Sequence, residues 1–101
     1  MIHEVKCYPQ YFERLKSGTM PFEVRQKDRP YQIGDLLAVN EFAPFDFKYS
    51  NAEMRERFSR AFGGMGRYSG DHLLFRITYI LDDPQYCKDD TIILGLARCE
   101  I

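Results

Sequence analysis

The chain has 101 residues, 45% of them hydrophobic and 29% charged, with 14 Lys+Arg against 15 Asp+Glu and a net charge of −1. That is the size of one small domain; it excludes a multi-domain enzyme, a coiled coil and a repeat array, and bulk charge predicts no polyanion partner. Eight Phe and seven Tyr supply enough large side chain for one real core and exclude intrinsic disorder.

His3 to Tyr8 reads as a short strand that Pro9 ends. Proline suits the first turn of a helix, and Tyr11, Phe12 and Leu15 then fall on one side of a short amphipathic helix. Gly18 stops it, because glycine takes the left-handed conformation without steric penalty. From Met20 to Arg25 a second strand follows, in which Phe22 and Val24 alternate with Glu23 and Arg25. Period two makes it half-buried and puts the carboxylate and the guanidinium on the same side. Residues 26–30 are polar turn material, and Ile33-Gly34-Asp35 forms a second turn that launches the apolar strand Leu36 to Phe42.

Residues 43–67 interrupt the β pattern as a helical insertion. Ser50 and Glu53 have capping-box spacing. Met54, Phe58, Ala61 and Phe62 follow at helical spacing, Arg55, Arg57 and Arg60 lie off that stripe, and Gly63-Gly64 ends the helix. No Gly-Lys-Ser/Thr accompanies these glycines, and they follow a helix instead of leading into one, which excludes a phosphate loop. Leu73 to Leu81 is the clearest strand, with Phe75, Ile77, Tyr79 and Leu81 expected on one face and Arg76 and Thr78 on the other; Asp82-Asp83-Pro84 breaks it. Thr91 to Cys99 is a nearly continuous apolar strand, as expected of a segment buried on both sides. Five strands and two helices without a βαβ rhythm predict an α+β class, a small mixed barrel with flanking helices in a single domain over 1–101.

No apolar run approaches the roughly 18 residues of a membrane span, and the first residues have no signal-peptide layout. Cys7, Cys87 and Cys99 are widely spaced and odd in number, which predicts free thiols in a reducing, cytoplasmic compartment. His3 and Cys7 stand four apart and His72 is the other imidazole. A zinc site would need ligands gathered from distant segments, so neither metal nor cofactor is expected. The positive charge is concentrated before residue 71, where 1–30 holds six basic and four acidic residues and 45–70 five and three, whereas 71–101 holds three basic and six acidic.

Glu23, Arg25, Asp28 and Arg29 lie within seven residues, across a strand end and the following turn. Two arrangements suit them. One is a salt-bridged edge of the barrel, contributing little stability. The other is a polar recognition site, in which arginine offers a planar fork to phosphate or base edges and glutamate accepts from exocyclic amines. Tyr8, Tyr11, Tyr31 and Tyr68 are aromatics that could stack on a base, as in readers of single strands, or pack within the fold.

A co-linear series of motifs resembles a known family. His3-Glu4-Val5-Lys6, Tyr11-Phe12, Ser17-Gly18, Phe22-Glu23-Val24-Arg25, Asp28-Arg29, Gly34-Asp35, Asn40-Glu41-Phe42, Tyr68-Ser69-Gly70 and Ile77-Thr78-Tyr79-Ile80-Leu81 resemble the DUF3850 family of the ASCH-domain group. The resemblance implies a PUA-like β-barrel and a cleft between the first helix and the barrel. The ASCH signature Gly-x-Lys-x-x-Glu-x-Arg is matched at Gly18, Glu23 and Arg25, with Met20 where lysine is expected. By this resemblance Gly18, Met20, Glu23 and Arg25 line the cleft; a binding module built on it is expected to have Asp28, Arg29 and Tyr31 at the rim.

Three functions follow as expectations. The first is an RNA- or nucleotide-binding module whose ligand is single-stranded RNA or a nucleotide-like molecule, as proposed for ASCH domains. The second is a small amidohydrolase acting on N4-acetylcytidine, as some bacterial ASCH proteins are, by way of a lysine, a threonine and a glutamate. Here Met20 and Glu23 stand at the lysine and threonine positions, and a thioether cannot activate a nucleophile or stabilise an oxyanion. The third is a protein-interaction domain acting through helix 51–62.

Overall fold

A computed structural model describes residues 1–58 and 66–99. The order is β1 (Ile2–Cys7), α1 (Pro9–Ser17), β2 (Phe22–Gln26), β3 (Leu36–Pro44), α2 (Ala52–Phe58), β4 (Gly66–Leu81) and β5 (Thr91–Arg98). The five strands form one mixed sheet in the order β1-β3-β4-β5-β2. β1 pairs parallel with β3, in the register Val5 to Val39, and the remaining pairs are antiparallel. The α+β class expected above is the one found, with the sheet curled into a half-barrel. Its two end strands, β1 and β2, come within side-chain reach of each other. Arg25 Nη1 donates to the Lys6 carbonyl at 3.0 Å and Arg29 Nη1 to the Glu4 carbonyl at 2.7 Å. In a parallel pair, alternate residues of a strand turn their backbone groups away from the partner. Guanidinium side chains thus span the gap where a closed barrel would carry a backbone ladder.

The core lies on the inner face of this sheet, against α1. Val5, Cys7, Leu37, Val39, Leu73, Phe75, Ile77, Ile92, Leu94 and Leu96 alternate inward from four strands, and Phe12 and Leu15 of α1 pack onto them. Pro9 opens α1, where its missing N–H would have had no intrahelical partner. Gly18 closes it at φ 84, with its N–H on the Leu15 carbonyl. Tyr11, expected beside Phe12 and Leu15, is exposed.

Three expectations about faces and caps need correction. Register slips between Ile77 and Tyr79 in β4, so the strand changes face there: Tyr79 turns out to solvent and Ile80 packs on the core in its place. The bulge brings Tyr79 over Gly95, where a Cβ would lie 3.0 Å from that of Tyr79. Strand β5 is buried on one side only, with Ile92, Leu94 and Leu96 inward and Ile93 and Gly95 half-covered on the other face. Helix α2 is capped one residue later than the capping-box spacing suggests: Asn51 Oδ1 accepts the Met54 N–H at 2.8 Å, while Ser50 Oγ lies against the Met54 sulfur.

The insertion 43–67 is the far end of a long β3–β4 hairpin, since Ala43 pairs with Arg67 and Pro44 with Gly66. Strand β4 therefore starts well before Leu73. Helix α2 buries Met54 and Phe58 in a second, small cluster with Ala43, flanked by Phe47 and Tyr49. Ala61, Phe62 and Gly63-Gly64 lie outside the described residues. No helix among the described residues is long and apolar enough to cross a membrane.

Candidate functional site

The decisive local feature is the orientation of β2. In an antiparallel pair, directly opposed residues share a face. Glu23 stands opposite Leu94 and Arg25 opposite Ile92, and both partners face the core. The polar pair of β2 is therefore the inward pair, and Phe22 and Val24 are left exposed, at 41% and 53% of their surface. A strand of this pattern would bury most apolar surface the other way round. Register with β5 overrides that preference, and such a conflict between local pattern and fold marks functional sites.

Burial has a large electrostatic effect on Glu23. The residue keeps 8% of its surface, and its carboxyl pKa is pushed up to about 7. Loss of hydration is the main cause; the Arg25 guanidinium and the Cys7 thiol oppose it without cancelling it. Arg25 Nη1 comes only to 3.9 Å of Glu23 Oε2, too far for a hydrogen bond, and Oε2 has no hydrogen-bond partner. Arg25 Nε and the Tyr31 hydroxyl are likewise buried and unpartnered. Beside Glu23, burial pushes the Cys7 thiol up to about 12, and the Glu23 carboxylate adds to the effect. Cys7 is thus a neutral thiol near pH 7, which excludes it as a nucleophile.

Two clefts flank Arg25. The first, about 670 Å³, lies between α1, β1 and β2 and is lined by Lys6, Cys7, Tyr8, Tyr11, Met20, Phe22, Glu23, Val24, Arg25 and Phe42. It is mainly apolar and aromatic, with the Glu23 carboxyl as its buried polar group. The second, about 500 Å³, is polar, and Glu4, Lys6, Arg25, Arg29, Asn40 and Asp71 are among the side chains lining it. Lys6 and Arg25 belong to both, and the Lys6 ammonium sits 4.7 Å from the centre of the Phe42 ring.

The structure brings Met20, Glu23 and Arg25 together in the first cleft and places Arg29 in the second. Gly18 is exposed and serves as the cap of α1, and Asp28 is exposed in the turn after β2; neither lines these two clefts. Tyr31 sits in the core, with its ring 4.7 Å from that of His3. Tyr8 and Tyr11 line the first cleft and Tyr68 the second. The sequence reading passed over Lys6, Cys7 and Phe42. The alternation His3-Val5-Cys7 already marks Cys7 as inward, but only the parallel pairing of β1 with β3 carries it and Lys6 to this place.

The other imidazole and acidic clusters serve the fold. His3 Nε2 lies 2.8 Å from Asp35 Oδ2, a bond that holds the Asp35 carboxyl below the ordinary carboxylate range. Glu41, with no exposed surface, accepts from Arg57 Nε at 3.1 Å and Nη2 at 2.9 Å, and Glu13 takes a further Nη2 bond at 3.2 Å. Arg57, expected to be available on helix 51–62, is instead the tie between α2, β3 and α1; Arg60 lies outside the described residues. Among the described residues, no group of three or more His, Cys, Asp or Glu is placed to hold a metal ion.

Comparison with known proteins agrees with the motif series. Residues 2–96 match the model of DUF3850, a domain of unknown function. The chain is also 39% identical over 54 residues to an uncharacterised 12.9 kDa protein in the GpA 3′ region of Escherichia phage P2; that match takes in 54% of the chain and 50% of the relative. The chain thus spans about half the length of that curated relative. With the family model running from β1 into β5 and taking in both clefts, the chain belongs to the DUF3850 family.

Proposed function

We propose that this chain is an RNA- or nucleotide-binding module of the ASCH, PUA-like kind, and that its first cleft takes a nucleobase. One observation carries this reading: Glu23 is a buried carboxyl with an unpartnered oxygen, set in an aromatic and apolar cleft. A buried polar atom without a partner is costly in a fold and ordinary in a site awaiting a ligand. With its pKa raised by burial to about 7, the protonated form of Glu23 is accessible at neutral pH. Protonated, it donates one hydrogen bond and accepts another, the complement of a base edge that offers a ring nitrogen beside an exocyclic amine. Tyr8, Tyr11 and Phe42 supply the aromatic surface on which a base stacks, and Met20 a flexible apolar one. A cleft of about 670 Å³ falls within the range for small-molecule sites.

Calorimetric titration with the four ribonucleosides and their 5′-monophosphates tests this. Binding in the micromolar range or looser is expected for at least one base, with Glu23→Gln altering affinity and base preference. No heat from any of the eight at low salt and millimolar ligand would overturn it.

Glu23 also favours a second reading, because a carboxyl titrating near 7 suits proton transfer. Lys6 lines the first cleft, so an ammonium group stands there from β1 although Met20 takes the place of the signature lysine. Water attack on N4-acetylcytidine would release cytidine and acetate. The expected outcome is that the nucleoside is recovered intact by chromatography; release of cytidine would make the chain an amidohydrolase.

A further inference from the structure

We infer that the second cleft is a phosphoribosyl subsite, so that the ligand of this protein is a phosphorylated nucleoside whose phosphate sits between Arg25 and Arg29. This deepens the proposed function and rests on the first cleft being the base pocket. The inference begins with how the two guanidinium groups are held. Arg25 Nη1 is tied to the Lys6 carbonyl and Arg29 Nη1 to the Glu4 carbonyl, both on β1. Carbonyls two residues apart on one strand are spaced by roughly 7 Å. Two guanidinium groups anchored on carbonyls at that spacing leave room for one tetrahedral phosphate, its oxygens turned to either side. One Nη1–H of each group serves its carbonyl, and both groups line the second cleft with donors left over. The side-chain ordering that phosphate binding would otherwise require is therefore already present.

The acidic residues of this cleft fit the same ligand. Glu4 and Asp71 share its walls with Lys6, Arg25 and Arg29. A plain anion site would exclude carboxylates. A site for phosphate together with ribose uses them, since carboxylates accept hydrogen bonds from sugar hydroxyls, as in dinucleotide folds. Lys6 and Arg25 belong to both clefts, so a base beside Glu23 leads directly, past Arg25, to a phosphate beside Arg29. The shared chemistry is a ribose phosphate, whether of a free nucleotide or of a strand of RNA.

The test compares each ribonucleoside with its 5′- and 3′-monophosphates, with ribose 5-phosphate and with a homotrinucleotide, by calorimetry at low salt. At least one monophosphate is expected to bind tenfold or more tightly than its parent nucleoside. Arg29→Ala, checked by thermal melting for an intact fold, is expected to remove that gain, so that the monophosphate binds no better than its nucleoside does to the same variant. A nucleoside that binds as well as both its monophosphates would overturn the phosphate subsite and leave the base pocket standing. Ribose 5-phosphate binding as tightly as the best nucleotide would support the subsite and overturn the base pocket. Absence of binding by every probe would overturn both. The comparison of nucleoside with monophosphate needs only the unaltered protein, so it decides the matter even if Arg29→Ala fails to fold. A trinucleotide tighter than the free monophosphate assigns the subsite to an RNA strand, and the reverse order to a small nucleotide.

Discussion

Among the described residues two glutamates are buried, each with an arginine beside it, and they are built differently. Glu41 is fully enclosed and takes two hydrogen bonds from Arg57, at 3.1 and 2.9 Å, which lock α2 against β3. Glu23 is nearly as enclosed, yet Arg25 stays 3.9 Å away and one of its oxygens bonds to nothing. Arg25 is instead drawn to the Lys6 carbonyl across the gap between the end strands. The contrast separates two uses of the same pair of residue types. A satisfied pair stabilises a docking contact, whereas an open one keeps hydrogen-bonding capacity in reserve where the surrounding surface is apolar. The difference comes from placement, since Arg57 reaches Glu41 from a helix that packs over it, while Arg25 leaves the same strand face as Glu23 and points past it.

Removing one arginine is the harshest way to break the contrast. Arg57→Ala strands a charged Glu41 in the interior, and the expected loss is about 3–5 kcal/mol in urea unfolding. A loss below about 1 kcal/mol would show that the α2 contact does not depend on this pair.

The Glu23 side responds in the opposite direction. Its pKa of about 7 in the folded protein lies above the ordinary 4.5, so the folded chain holds a proton that the unfolded chain has released. Stability therefore falls as pH rises from about 4.5 to about 7 and levels off above that. Glu23→Gln, with the same shape and no charge to bury, should remove the slope and gain about 1–3 kcal/mol near pH 8, with no gain near pH 4. Unfolding curves at the two pH values decide it, and a variant destabilised at pH 8 but not at pH 4 would mean that the ionised carboxylate is needed by the fold.

The smallest effect sharpens the picture of how α2 is seated over Glu41. Asn51→Ala should cost about 1 kcal/mol through loss of the cap on the Met54 N–H, and Ser50→Ala should change stability by less than half of that. Equal effects from the two substitutions would restore the cap to Ser50.

What was legible in the sequence depended on how far away the deciding residue lies. Pro9 and Gly18 bracket α1 by their own backbone chemistry, and both act as read. The alternation of β2 was legible too, but alternation defines two faces without saying which one is inward. That choice is made by pairing with β5, nearly seventy residues further on, where Leu94 and Ile92 pull Glu23 and Arg25 to the inner side. Tyr79 was misplaced for a related reason: a single extra residue in β4 reverses every later side chain, and no local pattern announces it. The nearly unbroken apolar run of β5 suggested burial on both sides, whereas its outer residues are only half-covered, beside the exposed Val24 of β2 and Tyr79 of β4. Met20, Glu23 and Arg25 converge on one cleft and Gly18 stays outside it, while Tyr31, in a loop with no periodicity to read, belongs to the core beside His3.

The arginine bridges across the end strands carry a consequence for the protein in a crowded solution. An end strand with bare carbonyl and amide groups invites a strand from another molecule to add to it, the first step of many aggregates. On β1 the acceptors at Glu4 and Lys6 are already engaged by Arg29 and Arg25. The same two side chains that line the second cleft thus keep this edge from recruiting foreign strands. Loss of both would be felt first as lowered solubility during concentration, before any change in the fold of the single molecule.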